Sequence, residues 1–394
     1  MSMIAVYADW DGLPGPQRLG FLHSRKTRAT ERFEFEYDEA ALTSPLFHGL
    51  QLDPGIHAFG GPQYPVAPRD QFGVFKDSSP DRWGRLLMDR RFERDKRQGL
   101  VPAGARLYES DYLLGVHDVY RVGALEQASR ALERDPDNVA VRGQDWLRML
   151  IAPGGSLGGA RPKASVVDDA GRLYIAKFPS TRDTHDVGGW EMVVNALASG
   201  CGLNVAAAQA RKFASDHHCF IVRRFDRTDA SHRLHFASAM TLTGHSDGDD
   251  ASTGASYLEL AEALMNQGAQ PNQDLRELWS RIVFNILVSN TDDHLRNHGF
   301  ILVPGLGWKL SPAYDMNPVP YADGLKLNIT DADNALDLEL TRQIASYFRL
   351  TLHEADELIN DFRDVVGQWR TLAQGLGLSA WEQDRMAEAF RLAA

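Results

Sequence analysis

The hydrophobic rhythm of the chain changes twice, and the changes divide it into regions. Over the first 70 residues apolar positions come in short alternating runs. Ile4–Ala8 is one, and Arg32–Tyr37 sets Phe33, Phe35 and Tyr37 against Arg32, Glu34 and Glu36. A period of two is that of a half-buried strand, so short strands are predicted here, with loops at Gly60-Gly61-Pro62 and Pro65–Pro68. A helix is expected to begin at Ser79-Pro80-Asp81 and run to about Arg97. Ser79 is placed to cap it, Pro80 to take the first helical position, and Asp81 to sit at the positive end of the dipole. A second helix near Ser110–Gly115 leads to a strand at Arg121–Leu125, and the charged stretch 126–145 reads as a linker.

From Ser156 the pattern is that of a hairpin: a glycine-rich turn, the apolar run Ala164–Val167, the turn Asp168–Gly171 and the strand Leu173–Phe178. Val187–Ala198, with Trp190, Val193, Val194 and Leu197 at helical spacing, predicts a helix ended by Gly200; Cys219–Arg223 predicts another strand. Beyond Tyr257 the period is mainly helical, apart from a hairpin at Phe300–Leu310 turned by Pro304-Gly305-Leu306-Gly307. The tail carries Leu358, Phe362, Val365, Val366 and Trp369 on one amphipathic stripe. The expected class is α+β in three parts. Residues 1–128 form a small α/β subdomain, 129–235 a hairpin-rich lobe with the glycine loop, and 236–394 a helical lobe.

Composition narrows the function. The 394 residues are 43% apolar and 24% charged, the balance of a globular chain. The longest apolar stretch, Ile282–Val288, is broken by Asn285 and is far shorter than the ~20 residues a membrane span needs. The opening Met1–Ile4 lacks the charged-then-apolar pattern of a secretory leader. Two cysteines, Cys201 and Cys219, make no disulfide framework and no four-thiolate zinc site, so a cytoplasmic protein without a membrane partner is expected. A net charge of −11 argues against coating nucleic acid by bulk charge.

Three clusters carry candidate chemistry. Gly154–Lys163 packs four glycines into six residues at the mouth of a hairpin, where backbone N–H groups can cradle an anion. It matches neither the Walker nor the dinucleotide fingerprint, and a flexible connecting loop would read the same way. Lys177 lies on the following strand, sharing a face with Ile175, where a lysine can reach nucleotide phosphates; Glu191 on the next helix is a natural ion-pair partner. A solvated edge lysine is the plain alternative. The third cluster is Ser289–His298. Asp292 and Asn297 stand five apart, and Asp315 follows after a hairpin. That order serves phosphoryl transfer: the first carboxylate orients the attacking hydroxyl, while the amide and second carboxylate hold magnesium by oxygen. His294 and His298 are four apart, but Leu295 stands where the zincin motif needs glutamate, and oxygen ligands favour a hard cation over zinc.

In this order the residues resemble the HipA family, the protein-kinase toxins of bacterial toxin–antitoxin operons. Ser156–Lys163 is similar to that family's phosphate loop, Val222–Arg227 to its hinge, Asn290–Asn297 to its catalytic loop and Ala313–Met316 to its metal-binding segment. Asp77–Arg85 and Val122–Ala124 resemble its N-terminal subdomain. The resemblance implies a bilobal protein-kinase-like fold and an ATP- and Mg2+-dependent Ser/Thr kinase. Asp292 would be the catalytic base, and Asn297 and Asp315 the metal ligands. ATP would be held by Ser156, Leu157, Gly158, Gly159, Ala160, Lys163 and Lys177, with backbone near Arg223 and Phe225 on the adenine. Ser156 would be the autophosphorylation site. The partners implied are a protein substrate, in known cases an aminoacyl-tRNA synthetase, and a small DNA-binding antitoxin through which DNA is met only indirectly.

Two other classes fit the same residues. One is a kinase-like subunit acting mainly as an antitoxin-binding corepressor, using the basic helix Arg82–Arg97, though a solvated helix face explains those charges too. The other is a small-molecule kinase, because the acceptor is not written in the phosphate-handling residues.

Overall fold

In the first strands the alternation is realised as burial: Phe33 and Phe35 are buried and Arg32 is exposed. The computed structural model describes residues 2–27, 30–115, 161–168 and 170–393. They group into two units, Met1–Thr184 with Arg211–Leu234, and His185–Ala210 with His235–Ala394. In the first unit Ser2–Ala8, Gln17–Lys26 and Glu31–Tyr37 form an antiparallel sheet in chain order. It closes over Leu22, Phe33, Phe35, Ile56, Phe72 and Phe75. The central strand has no sequence counterpart above, because Leu19-Gly20-Phe21-Leu22 blurs its alternation.

The second sheet of this unit pairs Lys163–Val167 with Leu173–Lys177, and Leu173–Lys177 with Cys219–Arg223, all antiparallel. Its register sends Ala164, Val166, Ala176, Cys219 and Ile221 to one face, where Trp83 and Leu87 of the helix Arg82–Arg97 pack. Trp83 fastens that helix further by donating its indole N–H to the Lys163 carbonyl at 3.1 Å. The opposite face carries Lys163, Ser165, Ile175, Lys177, Phe220 and Val222. The basic helix starts two residues later than its sequence indicates. Ser79 donates its hydroxyl back to the Phe75 carbonyl at 2.8 Å, and Asp81 is the cap, accepting from the Gly84 N–H. Several of its cations are met by neighbouring acids, Arg85 by Glu109, Arg94 by Asp95 and Lys96 by Glu93. The expected strand Arg121–Leu125, the linker 126–145 and the glycine loop through Ala160 lie outside the described residues.

The second unit is built around Pro271–Leu287, a helix begun by proline at its first turn and buried almost all round. Tyr257–Gln267, Leu338–Ile344 and Leu352–Val366 pack about it. Val187–Gly200, expected to end two residues sooner, brings Trp190 to Trp369 and Phe390, whose own rings stack at 4.6 Å and 12°. The tail stripe is split between two helices, Leu352–Val366 and Trp369–Gly375.

Two findings correct the picture of a helical lobe over 236–394. The hairpin Gly299–Val303 with Gly307–Leu310 gains a third strand, Phe236–Ser238, too short to show a period. Gly299 makes that approach possible, since a Cβ there would fall 2.3 Å from the Phe236 ring. Residues 311–337 are irregular, and over their first ten Pro312, Pro318 and Pro320 withhold backbone donors. Among the described residues no helix is long and apolar enough to cross a membrane. The class is α+β, as expected.

Candidate active site

The site grows out of a polar stripe on an otherwise apolar helix. Asp274, Arg281 and Asn285 are buried on Pro271–Leu287 and, spaced seven and four residues apart, share one face. Each fastens a loop. Asp274 accepts the Leu310 N–H at 3.1 Å, at the end of the hairpin. Arg281 donates to the Ser311 carbonyl at 2.7 Å. Asn285 donates to Asp293 at 2.6 Å. Buried polar groups cost free energy unless bonded, so these side chains specify where the loops must lie.

Past the helix the chain turns through Ser289, at φ +49°, into Asn290–His298. Asp292 is exposed while its neighbours Asp293 and Leu295 are buried. The Asn297 amide nitrogen donates to the Asp292 backbone carbonyl at 2.9 Å, which leaves the amide oxygen as the atom suited to a hard cation. Asp315 is held in the left-handed region at φ +59°, which an aspartate tolerates better than most residues. Three bonds stitch its segment to the loop. Tyr314 donates its hydroxyl to the Arg296 carbonyl at 2.7 Å, the Asn317 N–H bonds Asn290 Oδ1 at 3.1 Å, and the Val319 N–H bonds the Ser289 carbonyl at 3.1 Å. The structure thus brings the Asp292–Asn297 loop and the Asp315 segment together.

Asp293, beside Asp292, has a structural role of its own. One of its oxygens, Oδ2, meets Tyr257 Oη at 2.6 Å, Asn285 Nδ2 at 2.6 Å and His298 Nε2 at 2.8 Å. Burial alone would raise its carboxyl pKa; His298 and the Tyr257 hydroxyl outweigh it and hold the group below the ordinary carboxylate range. Out of water and beside the Asp293 carboxylate, the Tyr257 hydroxyl is pushed well up. His298 is committed to this network, so it is not a natural partner for His294 on zinc; among the described residues no cluster of three or more metal-ligating side chains occurs. The signal available in the sequence was Asn285 interrupting an apolar run.

Of the residues expected to hold ATP, Lys163 and Lys177 are register partners on one sheet face, with Phe220 next in the row. Lys163 is buried, and Lys177 Nζ lies 5.7 Å from the Phe220 ring centroid. Arg223 pairs with the exposed Asp229. The next residues are held tightly: Arg224 forks onto Asp226 at 2.8 and 2.6 Å and also bonds Ser165 Oγ, while Arg227 reaches the same carboxylate at 2.6 Å. Burial favours the neutral acid, but the two guanidiniums keep Asp226 low and ionised. Phe225 is half-buried inside this clamp. Glu191 is buried on Val187–Gly200. Ser156, Leu157, Gly158, Gly159 and Ala160 lie outside the described residues.

Beside the Asp292–Asn297 loop a cavity of about 290 Å³ is lined by Met240, Asp247, Asp249, His294, Arg296 and Lys326. Its wall is braced by His245, whose ring nitrogens meet Asp249 at 3.1 Å and Glu259 at 3.0 Å. Glu259 also closes the capping box of Tyr257–Gln267. The Glu259 hydrogen bond, against burial and with Asp249 assisting, raises the His245 pKa. A raised folded-state pKa stabilises below the ordinary histidine value and is lost as pH climbs through the folded one. His245→Gln is therefore expected to lower the melting temperature more near pH ~6 than near pH ~9. Thermal melts of both proteins at the two pH values check this, and equal losses would count against the ion pairs.

Residues 155–369 match the family described as the HipA-like C-terminal domain. That segment is more than half of the chain, and the chain belongs to this family. A protein of Sinorhizobium fredii named "Putative kinase Y4mE" is 30% identical over 217 residues, 49% of this chain and 48% of that protein. A "Putative kinase" of Haemophilus influenzae is 31% identical over 110 residues, 26% of this chain and 32% of that one. The chain thus spans half or less of the length of either curated relative. In the solved complex of the Shewanella oneidensis toxin–antitoxin proteins HipA and HipB with operator DNA, one chain matches at TM-score 0.63 and 18% identity. The match covers 96% of this chain and 94% of that one, which shows a shared fold.

Proposed function

We propose that the chain is an ATP- and Mg2+-dependent protein kinase for serine or threonine hydroxyls, acting in the cytoplasm as the toxin of a toxin–antitoxin pair. The observation that carries the reading is the stitched pair of segments, with Asp292 exposed beside Asn297 and with the Asp315 segment bonded across to Arg296, Asn290 and Ser289. Asp292 would orient the acceptor hydroxyl and take its proton as that oxygen bonds the γ-phosphorus, and the bond to the bridging oxygen of ADP breaks. Asn297 Oδ1 and Asp315 would hold magnesium, whose charge neutralises the phosphate oxygens. Lys163 and Lys177 would meet the phosphates from their sheet face, with Glu191 as the proposed partner of Lys177, and backbone near Arg223 and Phe225 would meet the base. A small DNA-binding antitoxin is the proposed partner by analogy with the HipA–HipB–DNA complex, supported by the shared fold.

The test is incubation with labelled ATP, magnesium and protein acceptors, with calorimetry of ATP binding. Protein labelling supports the reading, and the chain's own phosphate should map to Ser156 and weaken ATP binding. An anion of about −1.5 to −2 in a phosphate loop competes for the same N–H groups. Asp315→Ala is expected to weaken Mg-ATP binding by far more than adenosine binding, because its carboxylate would touch the nucleotide only through the cation. Equal losses for the two ligands, or ATP consumed only with a small metabolite, would overturn the proposal.

A further inference from the structure

Tyr257, Asp293, Asn285 and Asn290 are all within a few per cent of complete burial, so water cannot replace a bond lost among them. Their contacts form one line. Tyr257 donates to Asp293, which also accepts from Asn285 Nδ2. Asn285 Oδ1 accepts from Asn290 Nδ2 at 3.0 Å, and Asn290 Oδ1 accepts the Asn317 backbone N–H. Both ends of the line fix its polarity. A carboxylate can only accept at one end, and a peptide N–H can only donate at the other, so neither amide is able to flip without placing like poles together. One end adjoins Asp292 in sequence and the other lies two residues past Asp315.

We infer that Asp293 and Asn285 are positioning residues, whose buried hydrogen-bonded line sets the separation between the Asp292 carboxylate and the Asp315 carboxylate. The inference rests on the phosphoryl-transfer reading of those two groups. The remaining stitches, Tyr314 to Arg296 and Val319 to Ser289, are independent of the line. Cutting the line therefore loosens the spacing while those bonds still tether the segments. A shift of ~1 Å at a reacting group costs about 10²-fold in rate.

The experiment measures label transfer from Mg-ATP to casein and to the chain itself, with adenosine binding by calorimetry as a count of intact nucleotide sites. Wild type comes first: no transfer by wild type overturns the kinase reading and this inference with it. With an active wild type, Asn285→Leu is expected to lower kcat by about 10²-fold while adenosine affinity changes less than about threefold. Asp293→Asn, which keeps an acceptor oxygen for Tyr257 and His298, should recover at least about tenfold over Asp293→Ala. A residue that only supported the fold would lose kcat in step with the count of adenosine sites and show no such recovery. Asn290→Ala cuts the same line at its next link, and it carries the test if Asn285→Leu does not fold. A folded Asn285→Leu or Asn290→Ala protein with kcat within about threefold of an active wild type overturns the inference alone.

Discussion

Asp292→Asn is expected to abolish phosphoryl transfer, by about 10²–10⁴-fold, in a protein that melts where wild type does. The substitution spares everything that builds the loop. Asn297 binds the Asp292 backbone carbonyl, which asparagine supplies equally well, and the side chain at 292 is exposed. What is lost is the one function an amide cannot perform, accepting a proton from the attacking hydroxyl. The neighbour does not compensate, because Asp293 is buried and its Oδ2 is engaged by three side chains. Transfer rates and circular-dichroism melts of the two proteins check the expectation; wild-type turnover in the folded variant would remove Asp292 from the mechanism.

The second large effect is on stability and lies far from that loop in sequence. Trp83→Ala is expected to destabilise the protein by about 3–5 kcal/mol, the usual cost of emptying a buried aromatic site. Trp83 is only 3% exposed and packs with Leu87 against Ala164, Val166, Ala176 and Ile221. Its indole N–H also donates to the Lys163 carbonyl, a bond the substitution removes. Since Lys163 and Lys177 project from the other face of the same sheet, ATP affinity should fall along with the urea midpoint. A loss below about 1 kcal/mol in urea titration would mean that the helix is held by other contacts.

The sequence made legible those elements whose period ran long enough. Cys219–Arg223 is found as read, and Leu173–Phe178 differs by one residue. Phe236–Ser238 escaped because three residues cannot show an alternation. Ser79 and Asp81 both suit a helix cap, and only the competing bond from Ser79 to Phe75 decides between them. Residue type and spacing make Asp292, Asn297 and Asp315 candidates, and the structure bonds their two segments together. They do not single out Asp293, since an aspartate reads the same whether it faces water or three donors in a core. Burial is a property of the assembled helix Pro271–Leu287, and the polar positions on its apolar surface gained meaning only when their partners were in place.

The helix Val187–Gly200 belongs to one unit by packing but interrupts the other in sequence, because the chain passes between the units at 184/185, 210/211 and 234/235. No single scission therefore separates them cleanly. An N-terminal fragment ending at Leu234 would carry Trp190 away from Trp369 and Phe390, and a fragment beginning at His235 would keep those two rings with their third member missing. Either piece would present an aromatic surface to solvent, so protease nicking at the third crossing should yield halves that stay associated or aggregate rather than two soluble modules.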